Sequence, residues 1–145
     1  MTEKEHPAVF WYRMYKLISL SLSVTFGIVG LIFLLIPEHV LIIFNKISPY
    51  LGLMESPVHG TGFFLILAAA YMYLVTILAF LMYKHPHDHS FPFLLVNAKS
   101  ASSIISFAFF AFHAQYLLYI TNGVVDGLIA AGVLLLSKTV GRENG

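Results

Sequence analysis

The sequence has no cysteine and few charged residues. The absence of cysteine excludes disulfide bonds, thiolate nucleophiles and thiolate metal ligands. Charged residues occupy only 10% of the 145 positions, whereas soluble domains carry about a quarter. The formal net charge of +1 gives no argument for nucleic-acid binding, because that function needs a clustered basic surface. Water is therefore not the main solvent of this chain, and nucleic acid is not an expected partner.

Recognisable catalytic motifs are also missing. The sequence contains no GxSxG, no HExxH, no Walker-type glycine loop and no cluster of paired carboxylates. Hydrolase and kinase functions therefore lack residues to carry their chemistry, and an enzymatic role is the less favoured interpretation.

Hydrophobic residues, 59% of the chain, fall into four long blocks. The blocks cover residues 14–36, 61–83, 92–113 and 117–137. Each is long enough to cross the roughly 30 Å hydrocarbon core of a bilayer as a helix. The sequence therefore predicts an all-α membrane protein with four transmembrane helices in an antiparallel bundle, forming one domain over residues 1–145. The lipid bilayer is its first expected partner.

A shorter segment, residues 38–49, lies between the first two blocks. Val40, Leu41, Phe44 and Ile47 recur in it at helical spacing, although Ile42 falls on the polar side. The segment is too short to span a bilayer, so we expect an amphipathic helix lying along the membrane surface.

Only residues 114–116 separate the last two blocks, and so short a link predicts a hairpin of antiparallel helices.

Positive residues near the ends of the blocks predict the orientation in the membrane. One side carries six of them: Lys4, Arg13, Lys16, Lys84, Lys138 and Arg142. The other side carries only Lys46 outside the membrane core. Both termini and the loop at residues 84–90 should therefore face the cytoplasm, in a membrane of the bacterial inner type.

Two ionisable residues, Lys99 and Asp126, lie inside predicted transmembrane helices. Each costs about 2.5–3.5 kcal/mol on insertion scales, so a partner or a function is expected. Other polar residues of the candidate site are Asn97, Ser103, Ser106 and Asn122 on the same two helices, and Tyr73 and Thr76 on the second. Lys99 and Asp126 differ by about 7 Å in expected depth. Their direct pairing and a contact of Lys99 with the second helix therefore stay as alternatives.

Six of the seven histidines fall into two candidate metal sites. His39, His59 and His113 lie at the predicted outer surface, where they could ligate a divalent metal or, as a pair, a haem. His85, His87 and His89 alternate in the cytoplasmic loop, where weak surface chelation is conceivable. The alternative for both sets is a solvated or interfacial histidine without a ligand.

Small residues recur every four positions on two of the predicted helices. They are Ser19, Ser23 and Gly27 on the first, and Gly123, Gly127 and Ala131 on the fourth. Such stripes allow close approach of helix backbones in lipid. We expect packing inside the bundle in preference to a face reserved for another chain.

Three functions are compatible with these features. The favoured one is a non-catalytic membrane subunit, anchor or assembly component of a larger complex, in contact with other membrane subunits or with copies of itself. The alternative is a small oligomeric transporter coupled to protons or ions through Lys99 and Asp126. A further alternative is an electron-transfer subunit that carries haem or metal.

Overall fold

The computed structural model describes residues 7–60 and 62–143, and within these ranges it contains five α-helices. They are α1 (Pro7–Leu35), α2 (Pro37–Ile47), α3 (Gly62–Lys84), α4 (Ser90–Phe112) and α5 (Leu117–Glu143). Lys4 and Thr61, used above for orientation and for a helix boundary, lie outside the described residues. The prediction of an all-α membrane protein with four long apolar helices is confirmed, since α1, α3, α4 and α5 each contain a span of 21 to 27 residues suited to crossing a membrane.

The first and last helices of the chain, α1 and α5, extend beyond the predicted hydrophobic blocks. α1 already includes Pro7, seven residues before the predicted start, and α5 continues to Glu143, six residues past the predicted end. Hydrophobicity marks the part of a helix that lies in hydrocarbon, whereas the backbone hydrogen bonds of a helix continue into the polar zone. The predicted limits therefore describe the lipid-facing stretch and not the whole helix.

Proline separates α1 from α2. Ile36 leaves the helical conformation, with φ −136° and ψ 51°, immediately before Pro37 opens α2. A residue that precedes proline is disfavoured in the helical region, so the break follows from the sequence. α2 ends at Ile47 and is followed directly by a short 3-10 helix, Ser48–Leu51. This second helix stops at Gly52, whose φ of +66° suits glycine.

The long helices pack as two close pairs, α1 with α3 and α4 with α5. In the first pair, the Lys16 ammonium lies over the ring of Tyr83 and Ser23 donates a hydrogen bond to the carbonyl of Thr76. Residue numbers thus fall along α3 as they rise along α1. Fewer contacts join α3 to α4 and α1 to α5, so the two pairs complete a ring of four helices.

The two ends of the bundle differ in packing. At the histidine-loop end, where residues 85–89 connect α3 to α4, a hydrophobic core fills the centre of the bundle. It contains Tyr15, Phe26, Val75, Leu78, Ala79, Met82, Leu95, Val133 and Val140. At the α2 end, where α2 and the turn at residues 113–116 lie, the helices border a cavity of about 590 Å³ that opens between them. The core therefore sits towards the histidine-loop end.

Candidate functional site

Lys99 and Asp126 form a direct ion pair inside the bundle. The Lys99 Nζ lies 2.7 Å from the Asp126 Oδ1, and the two side chains are only 0% and 3% exposed. The sequence left open whether Lys99 turns towards Asp126 or towards α3, and the structure places its ammonium on Asp126. The long lysine stem covers the difference in depth between the two backbones.

Two aromatic rings complete the surroundings of the ammonium. The Lys99 Nζ lies 4.1 Å from the ring centroid of Phe26 on α1 and 5.0 Å from that of Tyr71 on α3. Cations are attracted to the faces of aromatic rings at such distances, more strongly where water is excluded. The Tyr71 hydroxyl in turn donates a hydrogen bond of 3.1 Å to the carbonyl of Ala98 on α4. All four long helices therefore meet at Lys99.

The second carboxylate oxygen of Asp126 is unsatisfied. Oδ2 is buried and has no hydrogen-bond donor among the described residues. A buried carboxylate oxygen without a donor is costly in a low-dielectric interior, so Oδ2 is the atom of the pair at which a further hydrogen-bond donor would be most favourable. The pair is thus asymmetric, with one oxygen engaged by Lys99 and the other free to accept.

A chain of hydrogen bonds extends the site along the interface between α4 and α5. The Ser103 hydroxyl donates to the carbonyl of Gly123 at 2.7 Å. The Asn122 side-chain amide donates to the hydroxyls of Ser102 and Ser106, at 3.1 and 2.8 Å. These polar groups run from Lys99 and Asp126 towards the α2 end of the bundle, so the two helices share a polar seam.

Three residues predicted for this site lie elsewhere. Asn97 donates to the carbonyl of Phe93 on its own helix, and Thr76 donates to that of Met72. Tyr73 is 68% exposed on the outer side of α3. The prediction matched Tyr73 and Thr76 to Lys99 by depth and included Asn97 as a polar lining residue. Neither criterion gives the direction in which a helical side chain points.

Two aromatic members of the site were not predicted. Tyr71 lies at nearly the depth of Tyr73 but points in almost the opposite direction, because two residues turn a helix by about 200°. Phe26 carries no polar group to distinguish it from the other apolar residues of α1. The sequence signal that could have identified Phe26 and Tyr71 is the aromatic character of residues at the depth of Lys99, since cations are attracted to aromatic rings.

The histidines that the structure describes are not grouped as the two predicted metal sites require. Among the described residues, which include His39, His59 and His113, no group of three histidine, aspartate or glutamate side chains is placed to hold a metal ion. His113 instead packs edge-on against Phe109, with ring centroids 5.6 Å apart. The three-histidine site at the outer surface is therefore not assembled here, and a haem held by two histidines stays a prediction.

The histidine loop packs against neighbouring aromatic rings. His87 stacks on Tyr12 at 5.7 Å, and His85 lies 6.1 Å from Phe91. His89 directly precedes α4. The chelating trio predicted from the alternating sequence is likewise not assembled among the described residues.

The small-residue stripes lie mainly between helices of the same pair. Ser19 and Ser23 are buried, and a Cβ added to Gly27 would lie 3.6 Å from the Thr76 methyl carbon. A Cβ added to Gly127 would lie 3.0 Å from the Ser103 hydroxyl. The same addition at Gly123 would meet the ring of Phe107 at 3.2 Å, whereas Ala131 is exposed. Apart from Ala131, the stripes contribute to packing inside the bundle.

Open spaces border this site, and two of them bear on its function. The cavity at the α2 end is lined by residues that include Leu41, Ser56, Ala68, Ser106, His113 and Tyr119. A groove of about 690 Å³ runs between α1 and α3 on the outer face of that pair and has Gly27, Gly30, Ala69 and Ala70 in its walls. Ser106 belongs both to the cavity lining and to the polar seam.

Comparisons with known proteins give no match, whether with protein-family models, with curated proteins or with solved structures.

Proposed function

We propose that this integral membrane protein is a non-catalytic subunit, anchor or assembly component of a larger membrane complex. The observation that carries the proposal is the buried ion pair of Lys99 and Asp126, whose ammonium also lies over rings of α1 and α3. A charge pair in this setting joins helices and fixes their register, in the way that buried polar groups specify pairing in other bundles. The chain then acts as a preassembled unit that offers its outer faces to other proteins.

The groove between α1 and α3 supports a lateral partner. Four of its lining residues are glycine or alanine, and about half of the surface of Ile28 and Leu31 beside them is exposed. Small residues let a foreign helix backbone approach closely where lipid offers no hydrophobic drive for association. A transmembrane helix of another subunit or of a second copy of this chain would fit along this groove.

The proposal keeps the orientation derived from the sequence. Both termini and the histidine loop face the cytoplasm, and α2 lies along the opposite surface of a bacterial-type inner membrane. The distribution of lysine and arginine supports this arrangement. One transmembrane domain then accounts for the whole chain.

Site-specific photo-crosslinking in native membranes tests the proposal. A photoreactive phenylalanine analogue replaces Ile28 in the groove, and the matched control carries it at Leu128, an exposed residue of α5 outside the described cavities. We expect a discrete adduct with another membrane protein from position 28 and only lipid adducts from position 128.

The mass of the adduct separates the outcomes. An adduct of twice the mass of this chain would indicate that the chain associates with itself and not with the subunits of a larger complex. Lipid adducts alone from position 28, together with purification of a single-chain monomer under gentle extraction, would contradict the subunit proposal.

The unsatisfied Oδ2 of Asp126 favours a second candidate function, proton-coupled transport. This function requires Asp126 to exchange a proton, with Asn122 and Ser106 leading from the polar seam to the cavity. The test is proton flux into liposomes that contain the purified chain. Transport predicts flux that Asp126→Asn abolishes while the helical content is retained, and no flux above that of empty liposomes would eliminate this candidate.

A further inference from the structure

The cavity at the α2 end is covered by the segment that follows α2 and contains Met54 and Ser56, which forms its roof. Asn45 and Ser56 are joined by three hydrogen bonds of 2.7, 2.9 and 3.0 Å, which fix the segment after α2 against α2 itself. The Met54 amide then donates to the carbonyl of Gln115 at 3.1 Å, which attaches that segment to the turn between α4 and α5. Because the roof covers the end of the bundle, a ligand would enter between the helices, from the lipid.

One wall of the cavity is aromatic and carries hydrogen-bonding groups. Phe109 packs edge-on against both His113 and Tyr119, at 5.6 and 5.7 Å, and Tyr116 lies 5.4 Å from Tyr119. Three of these four rings carry a hydroxyl or an imidazole nitrogen, and all four line the cavity. Ser106 adds a hydroxyl on the side of the polar seam. The lining is otherwise mostly aliphatic and aromatic, as in ligand sites that bind an apolar body and orient it by a few polar contacts.

We infer that this cavity binds a membrane-soluble molecule with a planar ring and carbonyl acceptors, of the quinone class. A flat ring packs against the aromatic wall, and its carbonyl oxygens accept from hydroxyl or imidazole donors there. The volume of about 590 Å³ falls within the range of small-molecule sites and accommodates such a ring with the start of its tail. A phospholipid acyl chain fills apolar volume but leaves these donors unused. The inference does not rest on the subunit proposal.

Photoaffinity labelling with an azido-substituted ubiquinone tests the inference on the full chain in lipid nanodiscs. We expect saturable labelling of peptides that contain residues 56–68 and 105–119. Decylubiquinone should compete with the label, whereas 1-decanol, which has the tail without the ring, should not.

Three variants locate the site. Ala68→Phe fills the cavity and should lower saturable labelling about tenfold, whereas Ala108→Phe, on an exposed position of α4 outside the lining, should leave it unchanged. Tyr119→Phe keeps the ring and removes one donor, so a loss of about 3- to 10-fold is expected. Circular dichroism checks that each variant retains its helices.

Two results would overturn the inference. Equal competition by 1-decanol and decylubiquinone would make the cavity a site for acyl chains. Labelling that does not saturate, or that Ala68→Phe and Tyr119→Phe leave at the wild-type level in folded protein, would show that no quinone binds there.

Discussion

The two helix pairs of this bundle are held together by different means. Between α1 and α3, glycine and serine allow close contact, and one hydrogen bond from Ser23 to the carbonyl of Thr76 crosses the interface. Between α4 and α5, the polar seam consists of an ion pair and of hydrogen bonds from Ser103 to Gly123 and from Asn122 to two serines. The first interface depends on shape and the second on polar partners.

The difference matters because lipid acyl chains can replace the apolar contacts of a helix but cannot replace the hydrogen bonds of its polar groups. Apolar helix faces gain from each other only what close packing adds, since acyl chains are equally apolar. Polar side chains in hydrocarbon favour whatever partner they find. The seam between α4 and α5 therefore specifies which faces meet, and Lys99 extends that specification to α1 and α3 through Phe26 and Tyr71.

Removal of one charge should have the largest effect on this comparison. Asp126→Leu leaves the Lys99 ammonium buried without its counter-charge, and we expect a loss of about 3–5 kcal/mol in the free energy of unfolding. SDS-induced unfolding in mixed micelles, followed by circular dichroism, measures the loss.

The double variant Lys99→Met with Asp126→Leu is its control. Removal of both charges should restore most of the stability, because apolar residues of similar volume often replace a buried ion pair without loss. If the double variant is as unstable as Asp126→Leu, the seam depends on the shape of these two side chains and not on their charges.

A methyl group added between α1 and α3 should have the next largest effect. A Cβ at Gly30 would lie 3.1 Å from the Met72 Cβ, an atom fixed to the backbone of α3. Gly30→Ala should therefore separate the helices and cost about 1–2 kcal/mol in unfolding free energy, even after its gain in helix propensity.

Gly27→Ala is the matched comparison on the same helix. Its Cβ would meet only the Thr76 side chain, at an ordinary 3.6 Å, so helix propensity should stabilise the variant by up to about 1 kcal/mol. Opposite signs in the same unfolding assay would confirm that α1 and α3 are matched in shape at Gly30, whereas equal effects would contradict it.

The sequence was sufficient for the membrane class and for much of the polar seam. Long apolar runs predict transmembrane helices because hydrocarbon accepts few alternatives. Lys99, Ser103 and Ser106 follow one another at steps of four and three residues, which places them on one face of α4, and all three are buried in the structure. These properties depend only on local spacing along one helix.

The contacts between the helix pairs could not be predicted in this way. Whether Tyr71 or Tyr73 faces Lys99 depends on the rotation of α3, which a nearly uniform apolar helix does not encode in its pattern. The cavity at the α2 end is lined by residues from all five helices and from the segment that Asn45 holds through Ser56. Such features follow from tertiary packing, so they appear only in three dimensions.

Single hydrogen bonds in the two interfaces should have smaller and similar effects. Ser103→Ala removes a bond to the carbonyl of Gly123, and Ser23→Ala removes one to that of Thr76. Each should cost about 0.5–1.5 kcal/mol in unfolding free energy. A much larger cost for Ser103→Ala would show that the bonds of the polar seam act cooperatively, which would sharpen the contrast between the two pairs.

The smallest effect is expected at the connection between the pairs, outside both interfaces. The Ser90 amide donates a hydrogen bond of 2.9 Å to the Asp88 carboxylate, and this bond lowers the pKa of Asp88, with a smaller contribution from the charges of His85 and His89. A carboxyl whose pKa is lower in the folded state stabilises the fold while it is ionised. Its contribution is present above the pKa of the unfolded chain, about 3.9, and is lost as the pH falls through the folded value.

Asp88→Ala tests this linkage through the melting temperature. The variant should melt slightly below the wild type at pH 7, and the difference should shrink as the pH falls through about 4 and below. Faster hydrogen exchange of the Ser90 amide in the variant would locate the change at the start of α4. A difference that stays constant with pH would mean that the side chain acts by packing and not by charge, and the connection would then resemble the interface between α1 and α3 more than the polar seam.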